Sequence, residues 1–407
     1  MYMTILFVII VSIMVLYQRW KEGNWVNLIS VFMGPYIPLV FLNNFFVYKN
    51  GFDKINDDVL VMILTSFIVF FSGSLLFKVK KNSTNKEEDN VSKLSRYDFK
   101  KMRTFLIFIG LIGIVKIIIL YLQGSFSSNI DDVEGVMGGG AIGHLLLASY
   151  SLLPIYFMYW TYNRKLTILM PIILIMIVTF SSFVKYNIIG LFVSFFLFLA
   201  LYRKSVLKRS LLILVSFVGV VFYVNYAISF VVVGNDMTTQ FILNHFWMYI
   251  AGSLIYDNYI FLYGIRPGIG VFYKLGTFIF ALPNMFLEKT FDFKLFPHVR
   301  QEDLSISDFG ETSNVVDAIG YLYPSKCDVL EVIIFYVILF ILGALMAYIY
   351  KKHMKSSKYY DVFIVNFLCY FVFFSFFGTF YINSAPWEIL IYSIFIPKLF
   401  IKNEIKN

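Results

Sequence analysis

The chain has 407 residues, of which 59% are hydrophobic, 20% aromatic and only 14% charged, with a mean hydropathy of +0.76. Soluble domains average about 25% charged residues, so a soluble globular enzyme is excluded. The formal net charge of +9 follows from a bias among loops, described below, and requires no nucleic-acid partner.

Apolar runs near twenty residues recur along almost the whole chain, each able to cross a hydrocarbon core of about 30 Å. A backbone in lipid must satisfy its own hydrogen bonds, which leaves helices or a closed barrel. Barrel strands alternate polar and apolar residues, whereas a segment such as 166–184 is apolar nearly all round. The predicted fold is an all-α polytopic integral membrane protein. In chain order, about eleven spans fall near 2–17, 26–47, 58–77, 104–122, 142–161, 166–184, 186–202, 210–232, 330–350, 359–382 and 386–400. The first stretch lacks a basic start and reads as a span, with no cleavable signal peptide.

Three connections are long: 78–103, 123–141 and 233–329. The first is polar, charged and short of aromatics, the composition of a solvated cytoplasmic linker. The third carries Phe241, Phe246, Trp247, Tyr249 and Tyr256 at near-helical spacing and is punctuated by Gly and Pro. It is predicted to be a large folded extracytoplasmic cap between the eighth and ninth spans, with helices on or dipping into the interface. Its apolar piece 272–286 is too short, and too broken by Pro283, to span. The chain then divides into an eight-helix portion (1–232), the cap (233–329), and three C-terminal helices with a short cytoplasmic tail (330–407).

Orientation follows from lysine and arginine, which accumulate on cytoplasmic loops. Segment 78–103 holds nine basic residues, and placing it inside assigns every other loop by alternation. Inside segments then hold 24 basic and 7 acidic residues, outside segments 9 basic and 18 acidic, with Lys116 inside a span. The N-terminus is predicted outside and the C-terminus inside.

Cys327 and Cys369 form no disulfide framework. The four histidines, His144, His245, His298 and His353, lack paired spacing on one helix face, so no metal motif is read. No Walker-type loop or GxGxxG occurs, and no cofactor is expected. Chemistry is therefore sought in the cap and at the outer ends of the spans. The segment 296–303 (Phe-Pro-His-Val-Arg-Gln-Glu-Asp) offers Arg300, whose guanidinium forks onto phosphate or carboxylate oxygens, beside His298 and Glu302, which can exchange a proton. A solvated turn with local ion pairs reads equally well. Arg266, between Gly264 and Pro267, could face the bilayer surface or simply anchor there. Lys185, in the turn between spans six and seven, must snorkel or find an anion. Lys116 lies in the outer half of span four, where Asn225 or a carboxylate would satisfy it, or where it serves function. Asp257 follows an aromatic run containing Trp247, Tyr249 and Tyr256; aromatic faces bind sugar rings and carboxylates bind their hydroxyls, although cap packing accounts for the same residues.

Three stretches resemble the O-antigen (Wzy-type) polymerases, the oligosaccharide repeat unit polymerases of bacterial surface polysaccharides. They are 180–190 (Phe-Ser-Ser-Phe-Val-Lys-Tyr-Asn-Ile-Ile-Gly), 249–258 (Tyr-Ile-Ala-Gly-Ser-Leu-Ile-Tyr-Asp-Asn) and 313–323 (Ser-Asn-Val-Val-Asp-Ala-Ile-Gly-Tyr-Leu-Tyr). The general plan of many helices with one large outer loop is also similar. In the first stretch the family usually has arginine where this chain has Lys185, which keeps the charge and loses the bidentate fork.

The resemblance implies a metal-independent glycosyltransferase of the bacterial inner membrane. Such an enzyme moves a glycan from an undecaprenyl pyrophosphate carrier onto a second lipid-linked repeat unit, making O-antigen or capsule. It implies two lipid-linked oligosaccharides and membrane lipids as partners, and a chain-length regulator. The donor leaves as pyrophosphate, so cations are needed; Lys185, Arg266, Arg300 and Lys116 are the candidates. A base must take the acceptor proton; Asp257, His298 and Glu302 are the candidates. Trp247, Tyr249, Tyr256, Asn314 and Tyr321 are candidate glycan contacts. The competing readings are an O-antigen ligase and a flippase of lipid-linked oligosaccharides; a flippase should show repeated halves, which this sequence lacks.

Overall fold

The computed structural model describes residues 1–77, 94–123, 140–181, 185–202, 223, 239–263, 270–297, 303–313, 315–324, 328–355 and 359–402. The chain is an all-α membrane protein. Among the described residues, six helices are long and apolar enough to cross a membrane: Tyr2–Glu22, Leu28–Phe45, Asp57–Ser74, Phe99–Leu122, Gly140–Asn163 and Val329–His353. The expected span 210–232 lies outside the described residues, except for Tyr223.

Local chemistry sets the element ends. Helix α1 (Tyr2–Glu22) stops at Gly23, whose left-handed φ of 69° lets its N–H close on the Arg19 carbonyl. The second expected span is broken in two. Helix α2 (Leu28–Met33) is capped by Asn27, and Gly34-Pro35 separates it from α3 (Tyr36–Phe45), because Pro35 has no N–H to donate. Asn56 caps α4 (Asp57–Ser74), and Asp57 and Asp58 suit its positive N-terminal end. Helix α5 (Phe99–Leu122) begins earlier than the expected 104 because Asp98 accepts the Lys101 N–H. Then follow α6 (Gly140–Asn163), α7 (Leu166–Ser181) and α8 (Lys185–Tyr202). Beyond them come α9 (Thr239–Tyr263), α10 (Val271–Ile279), α11 (Ala281–Phe291), a hairpin of β1 (Leu304–Ser305) and β2 (Thr312–Ser313), and α12 (Ala318–Leu322). The chain closes with α13 (Val329–Lys355), α14 (Tyr359–Phe373) and α15 (Ser384–Phe395). Helices α10 and α11 are each too short to span, and Pro283 sits harmlessly in the first turn of α11.

The chain folds as two compact units. The first comprises Met1–Asn82, Thr239–Lys355 and Phe371–Trp387; the second comprises Ser83–Thr238, Ser356–Tyr370 and Glu388–Asn407.

In the first unit α1, α4 and α13 run the same way. Phe7 packs on Phe67 and Gln18 bonds Ser74, while Phe77 meets Tyr348 further along the α4–α13 seam. That seam is held by small residues: a Cβ on Gly343 would lie 1.9 Å from the Phe70 carbonyl oxygen, and one on Gly73 2.0 Å from that of Phe340. In lipid, close backbone approach of this kind supplies the packing that hydrophobicity cannot. Phe32, Tyr36, Phe67 and Phe70 fill the space behind it.

At one end of this unit α9 packs on the turn before α4. Ala251 and Ile255 bury against Val47, Phe52 and Ile306. Asn258 donates to the Lys54 carbonyl at 2.7 Å and accepts the Asn56 N–H at 2.9 Å. The hairpin pairs Leu304 with Ser313 and Ser305 with Thr312, and Phe52 bridges to Ser307. Asn284 ties down the segment after α11 by accepting the Leu295 N–H and donating to the Phe296 carbonyl.

In the second unit α5 and α7 run parallel, with Gly110 against Leu174 and Gly113 against Val178. Helix α6 returns antiparallel to α7 through a tight turn at Arg164, which adopts φ 50°, and Tyr150 bonds Thr179 at 2.9 Å. Of residues 94–103, expected to belong to a solvated linker, Ser95, Arg96, Lys100 and Lys101 are exposed while Leu94, Tyr97 and Met102 are buried. Tyr97 is fully buried, and Asp98 N–H bonds the Phe400 carbonyl at 2.7 Å.

Candidate functional site

The first unit concentrates acidity around one short helix. Asp317 precedes α12, and its carboxylate accepts the Gly320 N–H at 2.5 Å, the N-cap bond that starts the helix. Asp257, on the second half of α9, presses its carboxylate on the same glycine, so closely that a Cβ there would lie 1.9 Å from Oδ1. Both side chains are fully buried. Gly378 N–H bonds the Val316 carbonyl at 2.6 Å and leaves no room for a side chain against Asp317.

Tyr36 and Tyr381 complete the surroundings. Tyr36 hydroxyl donates to the Ser375 carbonyl at 3.1 Å and stands within reach of the Asp317 carboxylate, with Asp257 and Tyr381 in electrostatic range. At the other end of α12 the buried Lys274 donates Nζ to the Tyr323 carbonyl at 2.5 Å. An acid at the start and a cation at the end both complement the helix dipole. Two carboxylates in one dry site repel unless a proton or a positive group sits with them, which suits the pair to proton handling or to holding a cationic group.

Asp257 is at this site. Tyr321 is buried on α12, stacked on Phe278 at 4.7 Å and bonded to Thr277 at 2.8 Å. Tyr256 is buried beside Asp257 on α9, while Trp247 and Tyr249 are half-buried nearer its start, with Tyr249 stacked on Phe377. His298, Arg300, Glu302, Arg266 and Asn314 lie outside the described residues. Lys185 opens α8 and Lys116 lies half-buried on α5, both in the second unit.

Two acids were not singled out from the sequence. Asp317 was legible as an N-cap, three residues before Gly320, but nothing local marked it as the partner of Asp257. Glu388, an isolated acid on α15, bonds His144, one of the histidines read as scattered; Nδ1 and Oε2 are 2.5 Å apart. Among the described residues no cluster of His, Cys, Asp and Glu is arranged to hold a metal. Outside the spans, burial raises the carboxyl of Glu311 above its ordinary range. No family model, curated protein or solved structure matches the chain.

Proposed function

We propose that this chain is a membrane glycosyltransferase that polymerises undecaprenyl-pyrophosphate-linked oligosaccharide repeat units at the outer face of the bacterial cytoplasmic membrane. The observation that carries this reading is the meeting of two of the three polymerase-like stretches. Residues 249–258 and 313–323 pack together with Asp257 against Gly320, although they are far apart in the chain. A shared functional surface accounts for that juxtaposition better than independent helix-packing motifs would.

The helix directions also support the expected topology. The first, third and ninth of eleven alternating spans must run parallel, as α1, α4 and α13 do. The eleven spans, the extracytoplasmic cap and the inward C-terminus belong to the same proposal.

In the reaction the acceptor sugar hydroxyl loses its proton to a base, and its oxygen bonds to the anomeric carbon of the donor glycan. The bond from that carbon to the pyrophosphate breaks, and its electron pair leaves on the phosphate oxygen. Lys185, Arg266, Arg300 and Lys116 are the cations available to hold that charge. Asp257, His298 and Glu302 remain the sequence-derived choices for the base.

Deletion of the gene, followed by gel electrophoresis of surface glycans, tests the reading. The expected result is collapse of the polysaccharide ladder to single repeat units on the lipid anchor. An anchor left without any repeat unit would overturn the polymerase in favour of a ligase or flippase.

A further inference from the structure

The His144–Glu388 pair belongs to neither the carboxylate site nor the cap. His144 lies on the second turn of α6 and Glu388 on the second turn of α15. The Glu388 side chain is 6% exposed, the His144 side chain 37%. Tyr392, one turn further along α15, donates to the same Oε2 at 3.4 Å. A carboxylate enclosed by apolar helices is costly and marks function by default. One bonded to a histidine Nδ1 holds the proton there and turns Nε2 into an acceptor, the arrangement of a base with its orienting group.

Helix register brings this pair toward a cation. Tyr150 faces Thr179 across the antiparallel α6–α7 pair, so His144 lies toward the Ser181 end of α7. Gly113 packs on Val178 with α5 parallel to α7, so Lys116 is level with Ser181. One end of the second unit therefore carries an oriented imidazole and Lys116. The described titratable groups toward that end are Glu388 and Tyr392 on α15 and Lys116 on α5.

We propose that His144 and Glu388, in place of Asp257, His298 or Glu302, form the acid–base dyad of glycan transfer, a step that rests on the polymerase reading above. His144 Nε2 accepts the proton of the acceptor sugar hydroxyl as its oxygen bonds to the anomeric carbon and the pyrophosphate departs with the electron pair. The proton then passes to water. Glu388 is a positioning residue, and Lys116 supplies positive charge toward the same end for the departing pyrophosphate.

The test uses the full chain in proteoliposomes with a synthetic lipid-pyrophosphate-linked repeat unit, measuring elongation rate against pH. Wild type should lose rate as pH falls. His144→Gln should lower the rate by about 10²–10⁴-fold and abolish that acid limb. Glu388→Gln keeps the shape while its amide can donate to Nδ1; it should lower kcat and leave KM near wild type. A His144→Gln rate within threefold of wild type overturns the dyad. So does a polymerising wild type with no acid limb, a result that needs no folded variant. A wild-type chain that makes no polymer overturns the enzymatic reading, and the dyad with it.

Discussion

Gly320→Ala is the substitution whose sign separates the packing described around α12 from ordinary helix chemistry. Alanine at an interior helix position is favoured over glycine by about 1 kcal/mol, so with free space the change would stabilise the protein. Here the new methyl would sit 1.9 Å from Asp257 Oδ1 and 2.5 Å from its Cγ, where an ordinary contact is 3.4–4 Å. The carboxylate must therefore retreat by about 1.5 Å, or α12 must move and strain the Asp317 cap. Overpacking of a buried site costs about 1–3 kcal/mol, which exceeds the propensity gain over most of that range. The readout is thermal unfolding of the detergent-solubilised protein, where a lower midpoint is expected. Gly320→Ala in an Asp257→Ala background supplies the control. With the carboxylate gone the methyl fits, so the second change should be neutral or stabilising, a coupling of about 1 kcal/mol or more. Additive effects, or a stabilising Gly320→Ala in the wild-type background, would refute the contact between Asp257 and Gly320.

The same reasoning extends to other contacts. Gly343→Ala should lower the unfolding midpoint by forcing α13 away from the Phe70 carbonyl, and adding Gly73→Ala should cost less than the sum, since one displacement partly accommodates both methyls. Asn258→Ala leaves the Lys54 carbonyl and the Asn56 N–H without their side-chain partner and should destabilise by about 1–3 kcal/mol in a denaturant or thermal titration. Arg266→Ala and Arg300→Ala should each abolish long polysaccharide chains with normal protein levels in the membrane; wild-type chain lengths would remove those arginines from the site. In a chain carrying Cys327→Ala and Cys369→Ala, Lys289→Cys should react with a membrane-impermeant thiol reagent in intact cells. Lys352→Cys should react only after the membrane is opened, and the reverse pattern would invert the topology.

Along the α4–α13 seam, both apolar runs were plain from hydropathy, while the glycines that let the two backbones touch were not. A glycine inside a span reads only as a weak helix former; its use appears once a partner helix is known. The region around α9 shows the same division. Its aromatic spacing announced a helix near 241–256, and α9 is there, but its seat on the turn 47–56 depends on Asn258 and on a hairpin whose strands are two residues long. Such strands are too short to leave a periodic signal. In 94–103 the charged Arg96, Lys100 and Lys101 are exposed as composition suggests, but composition says nothing of the buried Tyr97 or of a distant Phe400 carbonyl accepting from Asp98.

What the sequence determined by itself is the class of molecule. The cost of apolar side chains in water and of unbonded backbone in lipid is paid locally, residue by residue, so runs of hydropathy suffice to name a helical membrane protein. Which polar groups meet was decided only in three dimensions. Asp257 reaches Asp317 through the backbone of Gly320, and His144 reaches Glu388 across 244 residues. Those encounters depend on the rotation and register of helices about one another, quantities set by side-chain packing between segments and carried by no segment alone.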